Sequence, residues 1–142
     1  MNKIHQLERF TAAQKNHFAI ALNEIKEGRK RSHWMWYIFP QVQGLGFSEN
    51  SKLYAITGLE EAAAFLQHPI LGSRLTNICN ALLALKTKNA HAVFGSPDDA
   101  KLKSSMTLFA LVPNADTLFQ QVLDQFFDGA KDDKTLRILG VV

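Results

Sequence analysis

The chain has 142 residues, of which 46% are hydrophobic and 20% charged, and sixteen Lys and Arg against thirteen Asp and Glu give a net charge of +3. A chain of this length buries roughly 70% of its unfolded surface in one domain, so it needs no covalent staple. The single cysteine, Cys79, excludes an intramolecular disulfide and any cysteine-rich zinc module. We therefore expect residues 1–142 to form one domain.

The same arithmetic limits location and partners. The amino-terminal segment lacks the apolar core of a secretory signal, and no stretch reaches the roughly 18 apolar residues that a membrane helix requires. Together with the cysteine count, this favours a cytoplasmic protein with no membrane partner. The charge excess is small and local, unlike the long basic stripe of a duplex-binding protein, so we expect no nucleic-acid partner.

Apolar spacing and helix start and stop signals predict helices along the whole chain. The capping-box pattern at Thr11 predicts a helix from about Ala12 to Glu27, with Glu24 on its outer side, after a short helix from Ile4 to Phe10. The next helices are predicted through the aromatic run 34–39, with Ser32 as cap and Pro40 as end, and from Ser48 or Asn50 to Ile56. Three more are predicted over 59–66, 69–86 and 89–94. The last three are predicted from Ser96 as cap, with Pro97 as first residue, to before Pro113; from Asn114 or Asp116 to Gly129; and from Asp132 or Asp133 onward.

Alternating strand patterns and hairpin dipeptides are absent from the sequence. We therefore predict an all-α fold, a single compact domain of eight or nine short helices. Helices this short indicate an irregular array rather than a four-helix bundle, which requires fewer and longer elements. The segment 41–46, with Gly44 and Gly46, is predicted to be a loop.

Several common chemistries are excluded by spacing. Gly44-Leu45-Gly46 lacks the third glycine and the strand of a dinucleotide fingerprint, and no serine lies in a nucleophile elbow. No two histidines stand three or four residues apart, so we expect no metal and no cofactor. The sequence leaves open whether the protein is an enzyme. The scattered histidines are His5, His17, His33, His68 and His91.

The segment 28–36 combines cations, an imidazole and two indoles. Arg29 and Arg31 precede a predicted helix start, where positive charge is unfavourable, and broken local rules often mark a site. Free amides there could hold a phosphate or carboxylate, with Trp34 or Trp36 as a stacking wall and His33 as a candidate proton donor or acceptor. The alternative is that the cations complement the preceding helix end and the aromatics are core.

Two further segments are candidates. Lys103, Ser104 and Thr107 share a helix face and offer a cation and two hydroxyls, although a solvated face explains them as well. His68-Pro69 begins a helix with no acid in its first turn, which could accept an anion, and a plain turn with a proline start is the alternative.

These strings carry a family resemblance that extends over essentially the whole chain. Residues 29–41, 101–109 and 119–124, with His68-Pro69 and Phe94-Gly95, resemble the Domain of Unknown Function 1810 family, some of whose bacterial members carry the label calpastatin. That label describes a disordered repeat chain and does not fit a packed globule. The resemblance implies an armadillo-like helical fold and no established activity. At Lys103 many relatives are expected to have Arg, which could bind bidentately.

The three candidate segments coincide with sequence motifs of the family that the chain resembles. This coincidence favours the hypothesis that the three segments meet in one pocket. The leading hypothesis is a small anionic ligand, phosphate-bearing and nucleotide-like, with His33 as the candidate catalytic residue. The alternative is a non-enzymatic protein-interaction module that uses a helical groove. The predicted ligand-binding residues are Arg29, Arg31, His33, Trp34, Trp36, Gln41, His68, Lys103, Ser104 and Thr107.

Overall fold

Apolar helical spacing dominates the sequence, and the computed structural model, which describes residues 6–141, has ten α-helices and no strand in that range. The predicted all-α class is confirmed, with ten helices there instead of eight or nine. The armadillo-like stacking and the single-domain organisation stay predictions. In chain order the helices are α1 (Glu8–Gln14), α2 (Phe18–Lys26), α3 (Met35–Ile38), α4 (Glu49–Leu53), α5 (Leu59–Gln67), α6 (Leu71–Leu83), α7 (Ala90–Phe94), α8 (Asp98–Ala110), α9 (Leu118–Phe127) and α10 (Asp133–Leu139).

The long helix predicted from Ala12 to Glu27 is wrong, because the chain turns at 15–17 and separates α1 from α2. Thr11 begins no helix: it lies inside α1, and its hydroxyl donates to the Glu8 carbonyl at 3.1 Å. The two helices pack on different neighbours, α1 on α3 and α2 on α6, so one straight helix could not bury both apolar faces. The short helix predicted from Ile4 lies partly outside the described residues.

The predicted caps of two other helices are confirmed. Ser48 caps α4 and Asp132 caps α10, each accepting the backbone N–H three residues further on, at 3.1 and 3.0 Å. Immediately before Ser48 in the chain, the predicted loop 41–46 is held by a short parallel bridge between Val42 and Ile56. This bridge fixes one wall of the pocket described below.

Two cap predictions are wrong. Ser32 does not cap α3, because its hydroxyl donates to the carboxylate of Glu24 at 2.5 Å. Ser96 does not cap α8, because Pro97 occupies the N-cap position and leaves Ser96 one residue too far out to reach the free amides. The prediction of Pro97 as the first helical residue is wrong for the same reason, whereas the predicted end before Pro113 is confirmed.

Helix α8 lies at the centre of the molecule and packs against α5, α7, α9 and α10. Its predicted inward residues Leu102, Met106 and Phe109 are fully buried, and each contributes about 1.5–3 kcal/mol by leaving water. Ser104 and Thr107 are buried as well, so the helix is enclosed on nearly all sides. None of the helices within 6–141 has the length and apolar character needed to traverse a bilayer.

Candidate functional site

The middle of the segment 28–36 is organised around the side-chain carboxylate of Glu24. Glu24, predicted to lie outside the helix stripe, is buried, with 6% of its surface exposed. Its carboxylate accepts from the backbone N–H of Arg31 at 2.8 Å, from that of Ser32 at 3.0 Å, and from the indole N–H of Trp34 at 2.9 Å. The two backbone amides of Arg31 and Ser32, just before α3, are therefore occupied by the protein's own anion.

These hydrogen bonds set the ionisation of Glu24. Burial alone raises the pKa of the carboxyl, because it disfavours the charged form. The donors from Ser32, Arg31 and Trp34 act in the opposite direction and prevail, lowering the pKa from 4.5 to about 2. Glu24 is consequently a fixed negative charge throughout the physiological range.

Two cations of the basic segment have acidic partners. The Lys30 ammonium lies 2.8 Å from the Asp98 carboxylate and 5.1 Å from the centre of the Trp34 ring. Arg31 forms an exposed ion pair with Glu27. This arrangement explains why cations are tolerated before α3: carboxylates from α2 and α8 balance them.

A second part of the molecule, between the loop 41–48, the first half of α8 and the start of α10, forms a concave pocket with a volume of about 730 Å³. The Ser104 hydroxyl donates to the Gln41 side-chain oxygen at 2.6 Å, which ties α8 to the loop. The Lys101 ammonium lies 4.5 Å from the centre of the Trp36 ring. The two predicted segments, 29–41 and 101–107, thus meet in this pocket.

The pocket is cationic. It is lined by four basic residues, Lys101, Lys103, Lys134 and Arg137, and by two acids, Asp132 and Asp133. Lys101 pairs with Asp98 at 3.3 Å, and Asp132 is held by the cap of α10. Within residues 6–141, no ion pair joins Lys103, Lys134 or Arg137 to an acid. Three basic residues therefore line the pocket without counter-charges of that kind.

The structure brings four of the predicted site residues to this pocket and leaves six outside its lining. The four are Trp36, Gln41, Lys103 and Ser104. Outside it, Arg29, Arg31 and His33 are exposed, and Trp34 is core. The remaining two, Thr107 and His68, have partners in the protein.

Thr107 and His68 serve local structure. The Thr107 hydroxyl is fully buried, donates to the Lys103 carbonyl at 2.8 Å and accepts the backbone N–H of Asp132 at 2.9 Å. The imidazole Nδ1 of His68 accepts the N–H groups of Ile70 and Leu71 at 3.2 and 3.3 Å. The start of α6 is thus occupied by a side chain from its own turn.

Three pocket residues escaped the sequence reasoning. Lys134 and Arg137 stand three residues apart, so helical spacing alone predicts that they share a face of α10. The sequence does not show that α10 packs on α8, which is what brings this face to the pocket. Phe47 lines the mouth of the pocket with 89% of its surface exposed. Within 6–141, no cluster of three His, Cys, Asp or Glu is placed to hold a metal ion.

The fold and the pocket together define an all-helical protein with a cation-lined pocket built between a loop and two helices. The family model described as "Protein of unknown function (DUF1810)" matches residues 4–139, and the chain belongs to this family. It is similar to the crystal structure of the conserved hypothetical protein Rv1873 from Mycobacterium tuberculosis, with 41% identity, a TM-score of 0.94, and coverage of 97% of this chain and 99% of that one. No curated protein matches the chain. The family resemblance read from the sequence is confirmed.

Proposed function

We propose that the pocket binds a small anionic ligand, phosphate-bearing and nucleotide-like, through Lys103, Lys134 and Arg137. The observation that carries the proposal is that these three cations line one pocket and form no ion pair with an acid of the described region 6–141. Arg137 offers the planar fork that matches a phosphate, and lysines add point charges. Arg29, Arg31 and His33 are not part of this proposal, because they lie outside the pocket.

The uncharged residues of the pocket support a polar ligand. The side-chain oxygen of Gln41 accepts from Ser104, so the network assigns the amide nitrogen of Gln41 as a donor available to a ligand. The volume of about 730 Å³ falls within the roughly 300–1,000 Å³ of small-molecule sites. A nucleotide-sized anion is therefore a suitable occupant.

A thermal-shift series tests the proposal. The ligands are inorganic phosphate, ribose 5-phosphate, AMP and ADP-ribose, with adenosine as the uncharged control. A ligand at about 100 times its dissociation constant stabilises the folded protein by roughly 2.7 kcal/mol, which is a clear shift. Lys103→Ala and Arg137→Ala should reduce the shift, whereas Arg31→Ala, a cation outside the pocket, should respond like the wild type. The absence of any shift, or equal shifts in all three variants, would contradict the proposal.

A protein-interaction module remains the second candidate, and the exposure of Phe47 favours it. An aromatic ring that is 89% exposed beside a cationic pocket resembles an anchor for an acidic peptide. Titration of acidic peptides, with the nucleotide series beside it, separates the two functions. Peptide binding that depends on Phe47 without any nucleotide shift would support the module.

The proposal includes the cytoplasmic location expected from the sequence. The single thiol, Cys79, is free and fully buried beside Met106. Burial raises the pKa of this thiol, so it is an inert core group rather than a reactive site. A free thiol suits a reducing compartment, and fractionation of cells that express the protein checks the location.

A further inference from the structure

The two predicted stacking residues, Trp34 and Trp36, and the pocket residue Phe47 differ widely in how much of their rings a ligand can reach. Trp34 is 1% exposed and its indole N–H is bonded to Glu24, so it cannot meet a ligand. Trp36 lines the pocket, but the Lys101 ammonium lies over its ring at 4.5 Å and occupies one face. Phe47 lines the same pocket with 89% of its surface in solvent. Phe47 is thus the most open aromatic ring of the pocket lining.

The backbone around Phe47 is held in place although its side chain is not. On one side, Ile56 exchanges backbone hydrogen bonds with Gln41 and Gln43 at 2.9 and 2.8 Å. On the other side, Ser48 caps α4. At Gly46 a Cβ atom would meet the Ser51 hydroxyl at 2.8 Å, so glycine allows the close approach of loop and helix. The backbone therefore anchors the Phe47 side chain at the edge of the cationic pocket, while the ring itself is open to solvent.

We infer that the ligand of this pocket carries a planar ring beside its anionic group, and that this ring stacks on Phe47. The inference rests on the proposed function, since the cations Lys103, Lys134 and Arg137 would hold the anionic part. Stacking on an aromatic side chain gains affinity with any planar base, and it removes the exposed ring from water. Phe47 is then the residue that distinguishes ring-bearing anions from simple sugar phosphates.

Calorimetric titration of AMP and ribose 5-phosphate tests the inference, because the two probes share a phosphate and a sugar and differ in the ring. Phe47→Leu keeps an apolar side chain and removes the ring. It should weaken AMP binding by roughly ten-fold or more, leave ribose 5-phosphate binding unchanged, and leave the melting temperature of the free protein unchanged. Phe47→Trp should restore or tighten AMP binding. Leu53→Ala, an exposed apolar residue outside the pocket lining, is the matched control and should bind both probes like the wild type.

The remaining outcomes separate this inference from the proposed function. If ribose 5-phosphate binds as tightly as AMP, or if Phe47→Leu weakens both probes equally or neither, the ring contact is overturned and the anion site stands. If neither probe nor ADP-ribose binds the wild type, the proposed function fails and the inference fails with it.

Discussion

Two regions of this protein contain the same kinds of residue and differ in their counter-charges. In the segment 29–34, the backbone amides of Arg31 and Ser32 donate to the Glu24 carboxylate, and Lys30 and Arg31 are paired with carboxylates. In the pocket between the loop 41–48, α8 and α10, three cations form no ion pair with an acid of the region 6–141. A basic cluster in a sequence therefore indicates a ligand site only where the fold supplies no acid to balance it.

Removal of the internal anion Glu24 is expected to have the greatest effect on stability. Glu24→Ala leaves buried donors of Arg31, Ser32 and Trp34 without an acceptor, so the free energy of unfolding should fall by about 3–5 kcal/mol. Urea unfolding measures it. Glu27→Ala, which removes an exposed carboxylate from the same helix end, is the matched control and should cost less than about 1 kcal/mol. Equal losses in the two variants would show that Glu24 is not the organising charge.

The same carboxylate predicts an acid-sensitive stability. The pKa of Glu24 is lowered from 4.5 to about 2 on folding, so its contribution is complete above pH 4.5 and is lost as the pH falls from 4.5 towards 2. At 1.36 kcal/mol per unit the loss is roughly 3 kcal/mol. Urea unfolding between pH 6 and 2 measures it, with Glu24→Gln as reference. The difference between the wild type and Glu24→Gln should shrink over that window, and a constant difference would contradict the assignment.

The burial of Glu24 could not be predicted from the sequence, whereas most of the helices could. Apolar spacing and cap residues define most helices, because those signals act within a few residues; α6 and the caps at Ser48 and Asp132 are examples. The same periodicity predicts Glu24 on the outer face of its helix, whereas the structure buries it. Its burial arises because the chain reverses after α2 and folds Ser32 and Trp34 back onto it, which is a tertiary event.

The candidate site follows the same rule. The sequence marked the two strings that meet, since Gln41 and Ser104 lie in them and are bonded at 2.6 Å. It could not assign Lys134 and Arg137, whose significance depends on α10 packing on α8. Nor could it exclude Thr107, because a hydroxyl that faces the core and one that faces solvent have the same helical spacing.

Asp98 connects the two regions, because it forms an ion pair with a cation of each. Neutralising it should therefore affect the stability of one region and the anion affinity of the other. Its carboxylate pairs with Lys30, whose side chain is 8% exposed, and with Lys101 in the pocket. Asp98→Asn should lower the free energy of unfolding by about 2 kcal/mol, because Lys30 loses its partner while largely buried. It should also tighten anion binding a few-fold, because the pocket becomes more positive. Unfolding and AMP titration on one preparation measure both. A weaker affinity for AMP would show that Asp98 supports the pocket's shape more than it screens its charge.

Replacing one arginine from each region should change the free energy of unfolding least. Arg31→Ala removes a side chain that is 59% exposed and paired only at the surface with Glu27, so stability should change by less than about 0.5 kcal/mol. Arg137→Ala, on the exposed face of α10, should be similarly mild for stability. The two variants should differ only in their affinity for AMP, which Arg137→Ala lowers and Arg31→Ala leaves unchanged. Because both substitutions remove one positive charge, equal weakening would mean that the ligand responds to the overall field of the protein, and a difference would locate the site at the pocket.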